Sequence, residues 1–334
     1  MLFGNISMSD FDKTVVVNFD AVDSAEKCPV CNITLVPDEK QSGLLRCPVC
    51  RYAKVQRIEI APGQTLGNKY RILSQLGGGG YGDIFICHPL TDPTLRYVLK
   101  ILRTGNRTSQ KRFRREAAIL AEISGNERIA KIIDFWESGS DTFIVMEYIR
   151  GHNLKQLILE YQMDERAILQ IAKEAVHALQ DIWENYNIIH RDIKPENIML
   201  NEKFHLKLLD FGLSKQCTEE DSTNITLEKS SLGTPGFMSP EQFTDFKHVD
   251  FRSDIFSLGA TLFFLLTGTP PFKGSTLMDI FKDTQRNAPP PVKSFQGKCS
   301  PGCMTLIRRM MEFEPERRHS SYAELLQEIR ELLN

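Results

Sequence analysis

The chain has 334 residues, 41% of them hydrophobic and 25% charged, with a formal net charge of -2. This composition is that of a soluble globular protein long enough for two domains, and its near-neutral charge excludes a global attraction to nucleic acid or anionic membrane. The longest apolar run, Leu258 to Leu266, is too short to span a bilayer, and the N-terminus lacks a signal-peptide pattern. We therefore expect a cytoplasmic protein without a membrane partner.

Residues 1–25 are polar and predict a flexible tail. After them come two Cys-x-x-Cys pairs, Cys28 with Cys31 and Cys47 with Cys50. This spacing can direct four thiolates to one tetrahedral Zn²⁺, and so short a unit has no other core to hold it folded. The sequence predicts a zinc ribbon over residues 26–56, with a pair of redox dithiols as the alternative.

A glycine-rich segment follows a linker at residues 57–66. The pattern predicts a strand from Tyr70 to Leu76, then glycines at positions 77–80 and 82, then a second strand that contains Ile84–Cys87. A dinucleotide-binding turn would require a helix after the glycines. The sequence instead indicates a flap of strand, turn and strand whose backbone N–H groups can cover phosphates.

A lysine in the next strand is a candidate binding residue. Leu95 to Leu102 has a strand pattern in which Lys100 is the only inward candidate charge. Apolar residues at helical spacing then predict a helix from Ser109 to Ile123. Its Glu116 could form an ion pair with Lys100 or, as an alternative, a surface pair with Arg112.

The densest cluster of charge is His190-Arg191-Asp192-Ile193-Lys194-Pro195-Glu196-Asn197, which lies between apolar pairs. Fixing so many polar groups between two apolar, strand-like pairs costs free energy, which favours a chemical role for these residues. A strand pattern, Leu206 to Leu209, then leads into Asp210-Phe211-Gly212. A charged surface loop would explain the first cluster alone, but not the motifs at fitting distances on both sides.

Together with Ser239-Pro240-Glu241, these motifs resemble the eukaryotic-type (Hanks-type) protein kinase superfamily from Tyr70 to the C-terminus. With the ribbon, the arrangement looks like some bacterial serine/threonine kinases. The resemblance implies an α+β bilobed fold over residues 67–334, with a small β-rich lobe (67–149) and a larger helical lobe (150–334). It also implies ATP, Mg²⁺ or Mn²⁺, and protein substrates with serine or threonine acceptors.

The resemblance assigns the chemistry to individual residues. It implies that Asp192 orients or deprotonates the attacking hydroxyl, Lys194 balances the γ-phosphate, and Asn197 and Asp210 hold Mg²⁺. Lys100, in an ion pair with Glu116, is expected to bind the α- and β-phosphates. The expected ATP-binding residues are Leu76, Gly77, Gly79, Gly82, Ile84, Val98, Lys100, Met146, Glu147, Ile149, Asn153 and Met199.

Structural roles also follow from the resemblance. His190 and Phe211 are expected to stack with Leu120 rather than transfer protons. Arg318 is expected to form a buried ion pair with Glu241. Three residues depart from the usual pattern: Val98 narrows the adenine slot, whereas Phe256 and Ser239 are predicted not to touch the chemistry.

Regulation is indicated by Arg191, because a phosphate on the activation segment can neutralise a cation at this position. The sequence predicts autophosphorylation between Asp210 and Glu241. The candidate acceptors are Ser222, Thr223, Thr226, Ser230 and Ser231. The acidic run at residues 219–221 is the alternative, as a built-in anion.

Two other functions remain as alternatives. The chain could be a pseudokinase scaffold in which the ribbon binds a protein partner, although every metal, phosphate and base position is filled. It could also be a nucleic-acid sensor in which the ribbon gates the kinase, which would make activity salt-dependent. A structural or protein-binding ribbon fits better, because no aromatic ladder accompanies its basic residues.

Overall fold

A computed structural model of the chain describes residues 36–37, 44–46, 53–55, 60–79, 82–103, 118, 121–138, 141–211, 235–245 and 249–334. The chain forms two compact units. The first comprises Met1–Ala117 and Ile132–Tyr148, and the second comprises Ala118–Lys131 and Ile149–Asn334. The first unit is β-rich and the second is mainly helical, as the sequence predicted.

A small antiparallel sheet begins the described part of the first unit. Its strands are β1 (Val36–Pro37), β2 (Leu44–Arg46) and β3 (Ala53–Val55), in that order. Val36 and Ala53 both lie opposite Arg46. The sheet falls within the predicted ribbon, whereas the four cysteines of that ribbon lie outside the described residues.

A six-stranded antiparallel sheet forms the rest of the first unit, in the order β4-β5-β6-β7-β9-β8. Its strands are β4 (Thr65–Leu66), β5 (Tyr70–Gly79), β6 (Gly82–Pro89), β7 (Tyr97–Arg103), β8 (Ile132–Ser138) and β9 (Asp141–Glu147). Alternate residues bury one face. The core consists of Tyr70, Ile72, Phe85, Cys87, Leu99, Ile101, Phe143 and Val145.

The second unit combines a small sheet with a set of helices. The sheet pairs β10 (Gly151–Asn153), β11 (Ile198–Asn201) and β12 (Leu206–Leu208). The helices are α1 (Leu154–Glu160), α2 (Glu165–Tyr186), α3 (Pro240–Thr244), α4 (Arg252–Thr267), α5 (Leu277–Asn287), α6 (Pro301–Met310) and α7 (Tyr322–Leu333). Between Asn153 and Asn187 the chain thus forms two helices, α1 and α2, rather than one.

Helix α4 lies at the centre of the second unit because it is apolar on all sides. Every residue from Ser253 to Phe263 is buried. Gly259 allows α6 to approach closely, since a Cβ at this position would lie 2.8 Å from side-chain atoms of Met310 and Met311. A helix buried on all sides can hold fixed polar groups against the segments around it.

The predicted ion pair of Arg318 is confirmed. Arg318 is 2% exposed, and its guanidinium makes a bidentate contact with Glu241, at 2.6 Å from Nη1 to Oε1 and 2.8 Å from Nη2 to Oε2. It also donates to the carbonyls of Arg252, Glu312 and Phe313. Its carbon lies 4.9 Å from the ring centre of Phe256. The phenylalanine at this position therefore supports the ion pair.

His319 gives the second unit a predictable response to acid. Its fully buried ring lies 2.9 Å from Glu328 through Nε2, and no partner for Nδ1 is found in the described part of the chain. Burial lowers the pKa of His319. In the unfolded chain the pKa of a histidine is about 6.5, so the unfolded chain takes up the proton at a higher pH than the folded chain does. The free energy of unfolding therefore falls as the pH drops below about 6.5.

We therefore expect the urea midpoint of the wild type to fall between about pH 7.5 and pH 5 more than that of His319→Gln, which cannot titrate at this position. Circular dichroism during urea unfolding at a series of pH values measures both midpoints. Equal acid sensitivity of the two proteins would contradict this expectation.

Among the described residues, no helix is both long and apolar enough to cross a membrane.

Candidate active site

The catalytic loop, residues 190–197 after helix α2, brings three of the predicted catalytic side chains together. Lys194 Nζ lies 3.0 Å from Asp192 Oδ2, and Asn197 Nδ2 donates to the same oxygen at 2.9 Å. Asn197 Nδ2 also donates to the backbone carbonyl of Asp192 at 2.8 Å. A cation and an amide thus hold one carboxylate in a fixed orientation, which suits a group that must accept a hydrogen bond from a substrate.

A buried carboxylate from helix α4 fixes the backbone of this loop. Asp254 is 1% exposed, and its two oxygens accept from the N–H groups of His190, at 2.7 Å, and Arg191, at 2.8 Å. Burial raises the pKa of Asp254 to about 7, while the two N–H groups act in the opposite direction. Arg191 has a φ of 66°, a left-handed conformation that a non-glycine residue adopts only at a cost. Asp254 stabilises this conformation.

His190 is structural, as predicted. Its Nε2 must donate to the carbonyl of Leu209 at 2.9 Å, because a carbonyl can only accept, and its Nδ1 accepts from the N–H of Asp192 at 3.3 Å. Both ring nitrogens are therefore engaged in positioning the backbone. The ring also packs on Phe211, with centroids 4.4 Å apart. The third expected member of this stack, Leu120, lies outside the described residues.

Asn197 and Asp210, the predicted metal ligands, are linked through the backbone. The N–H of Leu209 donates to the carbonyl of Asn197 at 2.8 Å, and Asp210 follows with a φ of 42°. Both acceptors of the Asn197 amide are oxygens, so its nitrogen faces Asp192. The oxygen Oδ1 is then the atom that can face a cation, and amide and carboxylate oxygens are ligands of Mg²⁺.

Lys100 and three predicted ATP-binding residues share one face of the sheet in the first unit. Ile84 lies opposite Lys100, and Val98 lies opposite Met146. Because side chains alternate along a strand, these residues lie on the face opposite the buried Leu99. Glu116, the expected partner of Lys100, lies outside the described residues.

The glycine segment forms the predicted hairpin. β5 and β6 pair up to Gly79 opposite Gly82, and Gly77 lies opposite Ile84. Strand β5 therefore continues beyond Leu76, where we expected it to end, since the ladder of hydrogen bonds extends through the glycines. Leu76 itself is exposed.

The remaining predicted ATP-binding residues lie at the end of β9 and in the second unit. Glu147 ends β9, and Ile149 is the first residue of the longer segment of the second unit. Asn153 lies opposite Met199 in the pairing of β10 with β11. The side chain of Asn153 accepts from Gln156 N at 2.8 Å and caps helix α1. The structure therefore gives Asn153 a structural contact in addition to the ATP contact that the family resemblance implies.

The sequence interpretation missed two groups beside the loop. Asp254 was not assigned a role, although a carboxylate at the start of an apolar helix is a usable signal. The second group is Gln242, whose Nε2 donates to the carbonyl of Arg191 at 2.9 Å and whose Oε1 accepts from the N–H of Ser239 at 3.0 Å. The candidate phosphate acceptors between Asp210 and Glu241 lie outside the described residues.

Comparison with known proteins identifies relatives of this arrangement. Residues 70–329 match the family profile described as "Protein kinase domain". The chain is 31% identical over 274 residues to a probable serine/threonine-protein kinase of Clostridium perfringens, covering 81% of this chain and 39% of that protein. It is 33% identical over 271 residues to the serine/threonine-protein kinase pkn3 of Myxococcus xanthus, covering 78% and 49%.

PrkC, a serine/threonine-protein kinase of Bacillus subtilis, is 30% identical over 272 residues, covering 80% of this chain and 41% of that protein. The chain thus spans less than half the length of these three curated relatives. Among solved structures, Rad53 in complex with AMP-PNP has a TM-score of 0.63 at 23% identity, covering 77% of this chain and 64% of that chain. This likeness supports the fold alone.

Proposed function

Because this chain belongs to the protein kinase family, we propose that it is a serine/threonine kinase that transfers the γ-phosphoryl group of ATP to hydroxyl groups of protein substrates. The observation that carries the proposal is the contact of Lys194 and Asn197 with the Asp192 carboxylate. Lysine two residues after the catalytic aspartate is typical of serine/threonine kinases, and the curated relatives described above are named as such.

The proposed mechanism needs positioning more than covalent help. Asp192 accepts the hydrogen bond of the attacking hydroxyl and takes its proton as the new phosphorus–oxygen bond forms, while the bond from the γ-phosphorus to the bridging oxygen breaks and ADP leaves. Lys194 neutralises charge on the transferred phosphoryl group from its position 3.0 Å from Asp192. Both side chains are fixed before substrate arrives, which lowers the cost of reaching the transition state.

The residues present fit a magnesium–ATP complex. Asn197 can offer Oδ1 while its nitrogen holds Asp192, and Asp210 offers a carboxylate. When bound, Mg²⁺ would neutralise phosphate charge and orient the leaving group. Lys100 is proposed to bind the α- and β-phosphates, beneath the glycine hairpin. Ile84, Val98 and Met146, which share the sheet face of Lys100, are proposed to contact adenine.

Autophosphorylation provides a direct test. We expect the purified chain, incubated with Mg²⁺ and ATP, to gain phosphate on serine or threonine between Asp210 and Glu241, because Arg191 can be neutralised there. Phosphopeptide mass spectrometry locates the modified residues, and the Asp192→Asn protein serves as the unmodified control. Phosphate on tyrosine alone, or none in this segment, would contradict the proposal.

The same incubation with a generic protein substrate separates the kinase from the scaffold alternative. A scaffold would leave the substrate unmodified under conditions in which ATP is bound.

We propose, as the arrangement of the whole chain, a ribbon at 26–56, a linker at 57–66 and a catalytic domain at 67–334. A cytoplasmic location is supported by the free thiols of Cys87, Cys299 and Cys303 among the described residues.

The zinc ribbon is proposed on the donor set and on the small sheet. Cys47 directly follows the last residue of β2, and Cys50 precedes β3. The register in which Ala53 and Val36 both face Arg46 suits a compact ribbon held by one metal. Within the described residues no cluster of metal ligands is found, and the four cysteines are not among them.

We expect the purified chain to contain one zinc ion and Cys47→Ser to lose it, because three thiolates hold Zn²⁺ far less tightly than four. Inductively coupled plasma mass spectrometry measures the metal. Cys299→Ser is the matched control, since that half-buried thiol lies in the second unit. Zinc retained in full by Cys47→Ser would contradict the ribbon.

A further inference from the structure

The backbone of Arg191, the residue before Asp192, is held at both its N–H group and its carbonyl. Arg191, at a φ of 66°, donates its N–H to Asp254 Oδ1 at 2.8 Å. Its carbonyl accepts from Gln242 Nε2 at 2.9 Å. The first contact comes from helix α4 and the second from helix α3. Two helices that are distant from Arg191 in the sequence therefore fix its strained backbone. Asp192 follows directly on the held carbonyl.

The side chain that holds this carbonyl is itself fixed. Gln242 is 4% exposed, and Ser239 and Ser253 are fully buried. Gln242 Oε1 accepts from the N–H of Ser239 at 3.0 Å and from its hydroxyl at 3.2 Å, while the Ser239 and Ser253 hydroxyls lie 2.8 Å apart. Because Oε1 faces these donors, the NH₂ group must face the Arg191 carbonyl. The orientation of the amide is thus determined by the hydrogen bonds around it.

Loss of this contact would act on the chemistry through the backbone. A left-handed conformation is costly for a non-glycine residue and persists only where its surroundings enforce it. If the carbonyl of Arg191 rotated, the N–H and Cα of Asp192 would move with it. The carboxylate would then leave the position fixed by Lys194 and Asn197.

We propose that Gln242 is a positioning residue for Asp192. It acts through the Arg191 carbonyl and touches neither ATP nor the acceptor hydroxyl. The proposal rests on the proposed role of Asp192 as the group that orients or deprotonates the acceptor. It also makes Ser239, at the end of the activation segment, part of the arrangement that sets the geometry of the catalytic loop.

Two substitutions separate the donor from the remaining amide. Gln242→Glu keeps the shape and the acceptor oxygen but loses the NH₂ group, whereas Gln242→Met fills the volume and loses both. We expect each to lower kcat by about tenfold at pH 8, with KM for ATP within about twofold of the wild type. Rates are measured with a generic protein substrate and divided by the concentration of chains that bind ATP.

Asp279→Asn is the matched control for a purely structural role. Asp279 occupies the same position in the capping box of helix α5, where it accepts from Thr276 N at 3.0 Å. In the described part of the chain, the hydrogen bonds of that box stay between Thr276 and Asp279. A small loss of stability with kcat within about twofold of the wild type is expected for this variant.

The pH dependence distinguishes positioning from packing. A buried glutamate has a raised pKa, and its protonated form regains a donor that can reach the Arg191 carbonyl. We therefore expect the kcat of Gln242→Glu, relative to Gln242→Met, to rise by about threefold to tenfold between pH 8 and pH 6. The ratio cancels the titration of Asp254 and of the other groups that both variants share.

The proposal is overturned if both Gln242 variants keep kcat within about twofold of the wild type, or if the ratio of their rates does not change with pH. It is also overturned if Asp279→Asn loses as much kcat per ATP-binding chain. Asp192→Asn, measured in parallel, identifies a failure of the underlying assignment. If Asp192→Asn retains full activity, the role of Asp192 is wrong, whereas an inactive Asp192→Asn with active Gln242 variants refutes the role of Gln242 alone.

Discussion

Replacing Asp192 with asparagine lowers kcat for phosphorylation of a protein substrate by about 10²- to 10⁴-fold, the usual contribution of a positioned general base. The amide cannot take up the proton of the acceptor hydroxyl. It also removes the charge that holds Lys194 at 3.0 Å. Because neither effect involves the sheet of the first unit, ATP affinity measured by calorimetry stays within about threefold of the wild type.

Asp164→Asn is the control for this experiment. Asp164 caps helix α2 by accepting from Ala167 N at 2.7 Å, and asparagine caps a helix equally well. The same chemical change should therefore leave kcat unaltered. Full activity of Asp192→Asn, with phosphate still transferred to serine or threonine, would remove Asp192 from the mechanism.

Replacing Arg318 with methionine lowers the free energy of unfolding by about 3–5 kcal/mol, because a half-buried carboxylate loses its partner. The Glu241 side chain is 19% exposed, and the carbonyls of Arg252, Glu312 and Phe313 lose a donor at the same time. Urea unfolding followed by circular dichroism measures the change.

Two comparisons sharpen this result. The double variant Arg318→Met with Glu241→Gln should regain part of the loss, since the uncompensated charge is then removed. Glu316→Gln, at the exposed end of a 3.6 Å pair with Arg252, should change stability by less than about 0.5 kcal/mol. If Arg318→Met were no more destabilising than Glu316→Gln, the buried pair would not support the fold.

Motifs with local spacing could be interpreted from the sequence. The glycine hairpin, the lysine strand and the catalytic loop each lie on the expected element, because apolar alternation and turn residues specify them locally. The pairing of Arg318 with Glu241, 77 residues apart, came from the family resemblance and is confirmed. Strand ends were less accurate, and β5 extends three residues further than expected.

Contacts that depend on tertiary packing could not be predicted. Asp254 reaches His190 across 64 positions, and Gln242 reaches Arg191 across 51. No periodicity connects residues so far apart, since the distance between them is set by how α3 and α4 pack on the loop. Asn153 illustrates a different limit, because a side chain that caps a helix has the same sequence signature as one that binds a ligand.

The hydrogen bonds of the Asp254 carboxylate restrict the local opening of the catalytic loop. Amide protons in loops usually exchange rapidly with solvent, because loops open without disturbing the core. The amide protons of His190 and Arg191 are instead bonded to a side chain that is 1% exposed on the central helix. They can exchange only when that helix separates from the loop. In hydrogen exchange, the catalytic loop should therefore open together with the most protected part of the second unit.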